Sequence, residues 1–254
     1  MKISIIIATW NAGKTLQTCL NSITPQLRPE TELIIIDGGS IDNTLDIINK
    51  NREHIDYTIS EKDKGIYDAW NKGVKAAKGE WVAFIGADDI LLPNAIQTYI
   101  DFIKRTGDVS SYDYICAHNE YVDMNGKLLK VLGTTPVWNI MKKTMAAAHV
   151  ASLHNRKKLF ETIGEYDLSF KICADYELLL RKKDKLKFLF IDNNIARMKV
   201  GGMSFSMRAI KECYKIRKKH RSVPSIENYI LYITDVIAYN LFKVKKKLQG
   251  GTIS

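Results

Sequence analysis

A set of polar side chains stands directly after runs of β-branched and apolar residues, and their types suit the handling of a charged ligand. Thr9 and Asn11 follow Ile3-Ser4-Ile5-Ile6-Ile7-Ala8, and Asp37 follows Leu33-Ile34-Ile35-Ile36. Glu61 and Asp63 follow Tyr57-Thr58-Ile59-Ser60, while Asp88 and Asp89 follow Trp81-Val82-Ala83-Phe84-Ile85. One Asp after one strand is ordinary turn or N-cap chemistry. Acids or amides after four successive strands are harder to explain that way. Carboxylates gathered around an anionic ligand call for a counter-ion, and paired carboxylates hold Mg²⁺ or Mn²⁺, which in turn bind phosphate oxygens. No G-x-G-x-x-G or G-x-x-x-x-G-K-[ST] pattern is present, which argues against dinucleotide oxidoreductases and P-loop enzymes.

The elements that must position these side chains follow from periodicity. The runs named above are apolar on both faces, the pattern of strands buried in a parallel sheet. Between them, Leu16, Cys19, Leu20 and Ile23 have helical spacing, with Asn11 as the expected N-cap and Pro25 as the stop. A helix through Leu45 and Ile48 follows, then one over about 65–78 with Ile66, Trp70, Val74 and Ala77 on one face and Gly79 as its stop. Ile96, Tyr99, Ile100 and Ile103 mark another, after Pro93. Four strand–helix units in succession predict a doubly wound α/β domain, whose ligand site lies outside the carboxyl ends of the strands.

Composition sets the outer bounds. A chain of 254 residues with 46% apolar and 26% charged residues supports a sizeable core and is not disordered. No run of 18 uncharged apolar residues occurs, so a spanning helix is not expected, and the N-terminus lacks a signal-peptide layout. Cys19, Cys116, Cys173 and Cys213 lie far apart with no C-x-x-C, against a zinc site or disulfide framework and in keeping with a reducing cytoplasm. The formal net charge of +10 implies an acidic partner: nucleic acid, anionic lipid or a phosphorylated substrate. Most of it sits in 206–254, where eleven Lys and Arg face Glu212, Glu227 and Asp235. A boundary near Phe205 is therefore expected, with a nearly neutral domain over 1–205 and a basic appendage over 206–254.

The motifs resemble those of the inverting family-two glycosyltransferases of GT-A fold, in the bacterial branch that builds O-antigen, capsule and colanic-acid-type polysaccharides. The matching stretches are Ser4–Asn11, Ile36-Asp37-Gly38-Gly39-Ser40-Ile41-Asp42-Asn43-Thr44, Ser60–Gly73, Gly86-Ala87-Asp88-Asp89, His149, Gly164-Glu165-Tyr166-Asp167, Ala174–Arg181 and Gly201-Gly202-Met203-Ser204. Lys62 stands where the family usually has proline. The resemblance implies a nucleotide-sugar half over about 1–110 and an acceptor half over about 111–205. It implies that Asp37 and Asp63 hold the uridine and ribose of a UDP-sugar, with Thr9, Asn11 and Glu61 lining the same pocket. Asp89, with Asp88, then ligates Mn²⁺ or Mg²⁺, and Asp88 also leans toward the ribose. His149 is either a further ligand or a structural histidine. Asp175, which on its residues alone reads as the cap of a following helix, matches the family's general base. Lys72 and Arg181 are either phosphate contacts or solvated helix charges.

A glycan or undecaprenyl-diphosphate-linked acceptor at the cytoplasmic leaflet is the implied partner. The C-terminal segment fits it: Ile226, Tyr229, Ile230, Ile233, Ile237 and Leu241 lie on one helix face ahead of Lys243, Lys245, Lys246 and Lys247. Such a basic amphipathic helix suits an anionic membrane surface, which would make the enzyme peripheral on the inner face, or else packs on the domain. Nucleic acid is set aside because no binding motif accompanies the charge. Two other functions remain open, a sugar-1-phosphate nucleotidyltransferase and a silent carbohydrate- or membrane-binding module. The first needs a Gly-rich phosphate loop that Thr9-Trp10-Asn11-Ala12-Gly13 does not supply. The second sits poorly with Asp88, Asp89 and Asp175 together.

Overall fold

β1 (Ile3–Thr9) lies inside a nine-stranded sheet because both of its faces are apolar. Ile3, Ile5 and Ile7 enter one core, Ile6 and Ala8 the other. β2 (Thr31–Asp37), β3 (Tyr57–Ser60) and β4 (Trp81–Gly86) run parallel to it in the order β3-β2-β1-β4. The register sets Thr9 beside Asp37, Asp37 beside Ser60, and Ala8 beside Gly86, so the carboxyl ends of all four strands share one rim. The structure, a computed structural model, describes residues 2–202 and 205–248, without the side chains of 245–248.

α1 (Leu16–Ile23), α2 (Thr44–Lys50) and α4 (Ala95–Thr106) cover one face of this sheet, and α3 (Ile66–Ala76) covers the other. Short β5 (Ile90–Leu91) follows the Asp88-Asp89 turn. The second half of the chain extends the same sheet with β6 (Tyr114–Val122), β7 (Leu128–Leu132), β8 (Leu153–Asn155) and β9 (Phe188–Lys199). The order continues β8-β6-β9-β5, with β7 paired to β6. β8 is antiparallel to both β4 and β6, while β6 and β9 run parallel. α5 (Trp138–Met141) and α6 (Ala174–Leu180) cover the α3 face of this half, burying Met141, Leu178 and Leu179 there. The α/β architecture expected from the strand–helix alternation is the one observed.

Two local expectations change. Asn11 does not cap α1; Thr15 occupies that position, without a side-chain cap bond. Gly79 does not stop α3, which ends at Ala76. Gly79 is small because β1 passes over it: a Cβ there would lie 2.5 Å from Ser4 Oγ and 2.8 Å from the Lys2 carbonyl.

The boundary near Phe205 separates charge but not packing. α7 (Met207–His220) belongs to the main body, with Ala209 and Ile216 in the core of the α3 face. Glu212 accepts backbone N–H groups from Lys171, Ile172 and Cys173 at 2.9, 2.8 and 3.0 Å. Arg217, 2% exposed, donates to the Lys143 carbonyl and to Asn228 Oδ1. Lys219 and His220 reach the fully buried Glu177 at 2.9 and 2.8 Å. Unlike α7, α8 (Ser225–Leu248) adds no residue to the core clusters and packs against α7. Met203 and Ser204 of the last matching motif, and the side chains of Lys245, Lys246 and Lys247, lie outside the described residues.

Candidate active site

The rim is built as a set of interlocked loops. Asp37 is fully buried at the end of β2. Its Oδ2 accepts from Gly39 N (3.1 Å), Ser40 N (2.9 Å) and Ser60 Oγ (2.5 Å), and its Oδ1 accepts from Ser40 Oγ. The carboxylate therefore shapes the Gly38-Gly39 turn, with Gly39 at φ 81°. Asn11, at φ 48°, ties the first loop to this turn: its N–H donates to Ser40 Oγ at 2.7 Å and its Oδ1 accepts from Ile41 N at 3.0 Å. Asp63 folds over Gly38 so closely that a Cβ on Gly38 would lie 2.5 Å from its Oδ2, while its Oδ1 accepts from Gly65 N. Thr9 Oγ1 is buried on the same rim with no hydrogen-bond partner. Lys72 binds Glu61 at 2.8 Å and lies 3.8 Å from Asp68, so both expected pocket residues are engaged with each other.

After β4, Asp88 is exposed and Asp89 is buried. Both carboxylates close over Gly86, where a Cβ would lie 2.9 Å from Asp88 Oδ1 and 2.8 Å from Asp89 Oδ2. Burial, with Asp88 alongside, pushes the Asp89 carboxyl up to about 8, against a hydrogen bond from Gly86 N. Two carboxylates crowded over a glycine and short of positive charge fit Mg²⁺ or Mn²⁺ when diphosphate oxygens complete the coordination. Among the described residues, no three His, Cys, Asp or Glu side chains form a ligand group, and His149 lies in an aromatic cluster. It stacks on Trp70 (centroids 4.8 Å apart) and Phe84, with Nε2 3.1 Å from Tyr166 Oη. Burial lowers its pKa to about 3, which keeps the ring neutral.

Asp175 lies in the first turn of α6 rather than at its N-cap, which is Cys173. Tyr67 Oη stands 3.0 Å from Asp175 Oδ1 and 2.6 Å from the Ile172 carbonyl. Burial raises the Asp175 carboxyl to about 6, opposed by hydrogen bonds from Tyr176 N–H and Tyr67. A carboxylate with that pKa accepts a proton near neutral pH, the requirement for a general base. Asn71 supports the facing segment by exchanging two hydrogen bonds with the Tyr166 backbone, at 3.0 and 2.9 Å. Arg181 is committed elsewhere: it pairs with Glu177 and donates to the Ile163 carbonyl, so it is a structural cation and no phosphate contact. Sequence reasoning missed Tyr67, Asn71, Gly86 and Glu212. The signal for Tyr67 and Asn71 was their place within the Ser60–Gly73 motif.

A mixed sheet whose parallel half ends in an acid-bearing rim, extended by a mixed half whose helix α6 carries Asp175, is the GT-A glycosyltransferase arrangement. The family model "Glycosyl transferase family 2" matches residues 4–163, and the chain belongs to that family and is a glycosyltransferase. It is 34% identical over 181 residues, 70% of this chain and 68% of the relative, to a PGL/p-HBAD biosynthesis glycosyltransferase of Mycobacterium tuberculosis. S. aureus TarS superposes with a TM-score of 0.68 at 18% identity, over 93% of this chain and 43% of that one. Residues 1–349 of TarS have also been solved in complex with UDP-GlcNAc. The mannosyltransferase PcManGT from Pyrobaculum calidifontis, in complex with GDP-Man and Mn²⁺, gives a TM-score of 0.64 at 12% identity over 94% of this chain and 75% of that one. The nucleotidyltransferase and silent-module alternatives are set aside by the family.

Proposed function

We propose that this enzyme transfers a hexose or N-acetylhexosamine from a UDP-sugar to a glycan acceptor, with inversion at the anomeric carbon. The observation that carries this reading is the Asp175 carboxyl, half-buried, bonded to Tyr67 and raised to about 6. An acceptor hydroxyl gives its proton to Asp175 as its oxygen attacks the anomeric carbon, and the bond from that carbon to the UDP phosphate oxygen breaks. One displacement inverts the configuration, and UDP leaves with the bonding electrons. Thr9, Asp63 and the turn shaped by Asp37 and Asn11 form the nucleotide side, in keeping with the unpartnered Thr9 hydroxyl there. Asp88 and Asp89 would hold Mn²⁺ or Mg²⁺, which supplies Lewis-acid stabilisation of the departing diphosphate.

UDP is favoured as the donor nucleotide because the TarS fragment, similar over 93% of this chain, is described with UDP-GlcNAc. The acceptor is a lipid-linked, undecaprenyl-diphosphate-type glycan of bacterial surface polysaccharide synthesis, met by a cytoplasmic, membrane-peripheral enzyme. The family-two motifs of the polysaccharide-building branch support this part. Calorimetry with UDP-GlcNAc, UDP-Glc, UDP-Gal and GDP-Man, each with and without Mn²⁺, tests the donor side. Binding of a UDP-sugar that requires Mn²⁺ is expected; tighter binding of GDP-Man, or equal UDP binding in EDTA, would overturn the donor or the metal assignment.

A further inference from the structure

α8 presents its apolar residues outward. Ile226, Ile230, Ile233, Ile237, Leu241 and Val244 recur at helical spacing, and each is between 37% and 79% exposed. The face turned to α7 holds Asn228, which is 3% exposed and bonds to Arg217 and to the Tyr214 carbonyl. The packed side of this helix is thus anchored through Asn228, and the apolar stripe is left facing outward. From Ile226 to Val244 the stripe runs about 27 Å along the axis. Among the described residues, no helix is long and apolar enough to cross a membrane.

Basic side chains border the stripe on one flank. Lys211, Lys215 and Lys218 repeat at i, i+4, i+7 on the exposed side of α7, with Arg221 just past its end. They line two adjoining clefts between α7 and α8, of about 1080 and 420 Å³, which also expose Tyr214, Tyr229 and Tyr232. The acids of this region are engaged elsewhere: Glu212 caps the segment before α6, Glu227 pairs with Lys143, and Asp235 faces Arg217. Among the described residues none of Lys211, Lys215, Lys218 or Arg221 has an acid within ion-pair distance.

We propose that α7 and α8 form a docking surface for an anionic lipid bilayer. α8 lies along the interface with its isoleucine stripe at the acyl boundary, the tyrosines sit at headgroup level, and Lys211, Lys215, Lys218 and Arg221 meet the lipid phosphates. A second copy of the chain is the poorer occupant, because joining two stripes would bring two uncompensated basic flanks together. The surface is tied to the chemistry through α7, whose Glu212 holds the backbone of Ile172 and Cys173 just before Asp175. The proposal rests on the lipid-linked acceptor only for its purpose; the physical surface stands by itself.

The test is sedimentation of the full chain with phosphatidylglycerol–phosphatidylcholine vesicles, beside pure phosphatidylcholine vesicles. The chain should sediment with the anionic vesicles alone, and less so as salt is raised. A triple variant, Lys211→Gln/Lys215→Gln/Lys218→Gln, should lose roughly 100-fold in partition, at about fivefold per charge. The variant Ile230→Ser/Ile233→Ser/Ile237→Ser, at exposed positions, should also stay in the supernatant while binding UDP as the parent does. A parent chain that stays in the supernatant with anionic vesicles overturns the proposal. So does sedimentation velocity showing a dimer that the serine variant dissociates, with no vesicle binding by the parent. Failure of UDP binding in all variants and the parent would instead count against the donor assignment.

Discussion

The Tyr67 hydroxyl stands 3.0 Å from Asp175 Oδ1, joining the first turn of α3 to the first turn of α6. Both carbonyl and carboxylate partners of that hydroxyl belong to the acceptor half, since its second contact is the Ile172 carbonyl. The loop that carries Asp63 on the nucleotide side leads directly into α3, so the two halves of the site are positioned by one helix.

Transfer should fall as pH drops through about 6, because Asp175 takes up a proton there and can no longer accept one from the acceptor. The Tyr67 hydrogen bond favours the charged carboxylate and so lowers that pKa. Tyr67→Phe removes it and should move the acid limb of kcat/KM to higher pH by about one unit. An acid limb that stays in place, measured on folded protein, would mean the Asp175 carboxyl is not the group seen in the profile.

Gly86 leaves room for the acid pair. A Cβ there would come within 2.9 Å of Asp88 Oδ1 and 2.8 Å of Asp89 Oδ2, so Gly86→Ala should spread the two carboxylates. Metal-dependent UDP binding should weaken by roughly tenfold or more, the cost of losing about one good ligand interaction. Asp89→Ala should weaken it further and abolish transfer. Isothermal titration with UDP and Mn²⁺ reads both variants, and unchanged affinity in Asp89→Ala would remove the metal assignment.

Glu212→Ala leaves the Lys171, Ile172 and Cys173 N–H groups without their acceptor. Losing a buried carboxylate acceptor should cost about 3 kcal/mol, or roughly 6–12 °C in Tm for a chain of this size. Thermal unfolding followed by circular dichroism checks it. An unchanged Tm would show that α7 is the detachable appendage its charge suggested.

What was legible in the sequence was whatever local pattern controls. The β-branched runs of β1, β2 and β4 disclose buried parallel strands, and topology then places Thr9, Asp37, Asp63, Asp88 and Asp89 on one rim without any knowledge of contacts. Asp175 needed the surrounding motif, since an acid opening a helix carries the same local signature whether it caps or catalyses. The rest depends on partners distant in sequence. Tyr67 and Asp175 are 108 positions apart, and Asn71 and Tyr166 are 95 apart. Charge misplaced the boundary at Phe205 because α7 alternates: Lys211, Lys215 and Lys218 face solvent, while Ala209, Glu212, Ile216 and Arg217 face inward.

The most direct measurement is the rate of UDP release by Asp175→Asn with the donor identified by calorimetry, together with its donor affinity. Asparagine keeps the size of the side chain but cannot take the acceptor's proton. A fall in kcat of roughly 10²–10⁴ with donor affinity unchanged is the result expected of a general base. Turnover within a few-fold of the parent, on protein that binds donor normally, would contradict it.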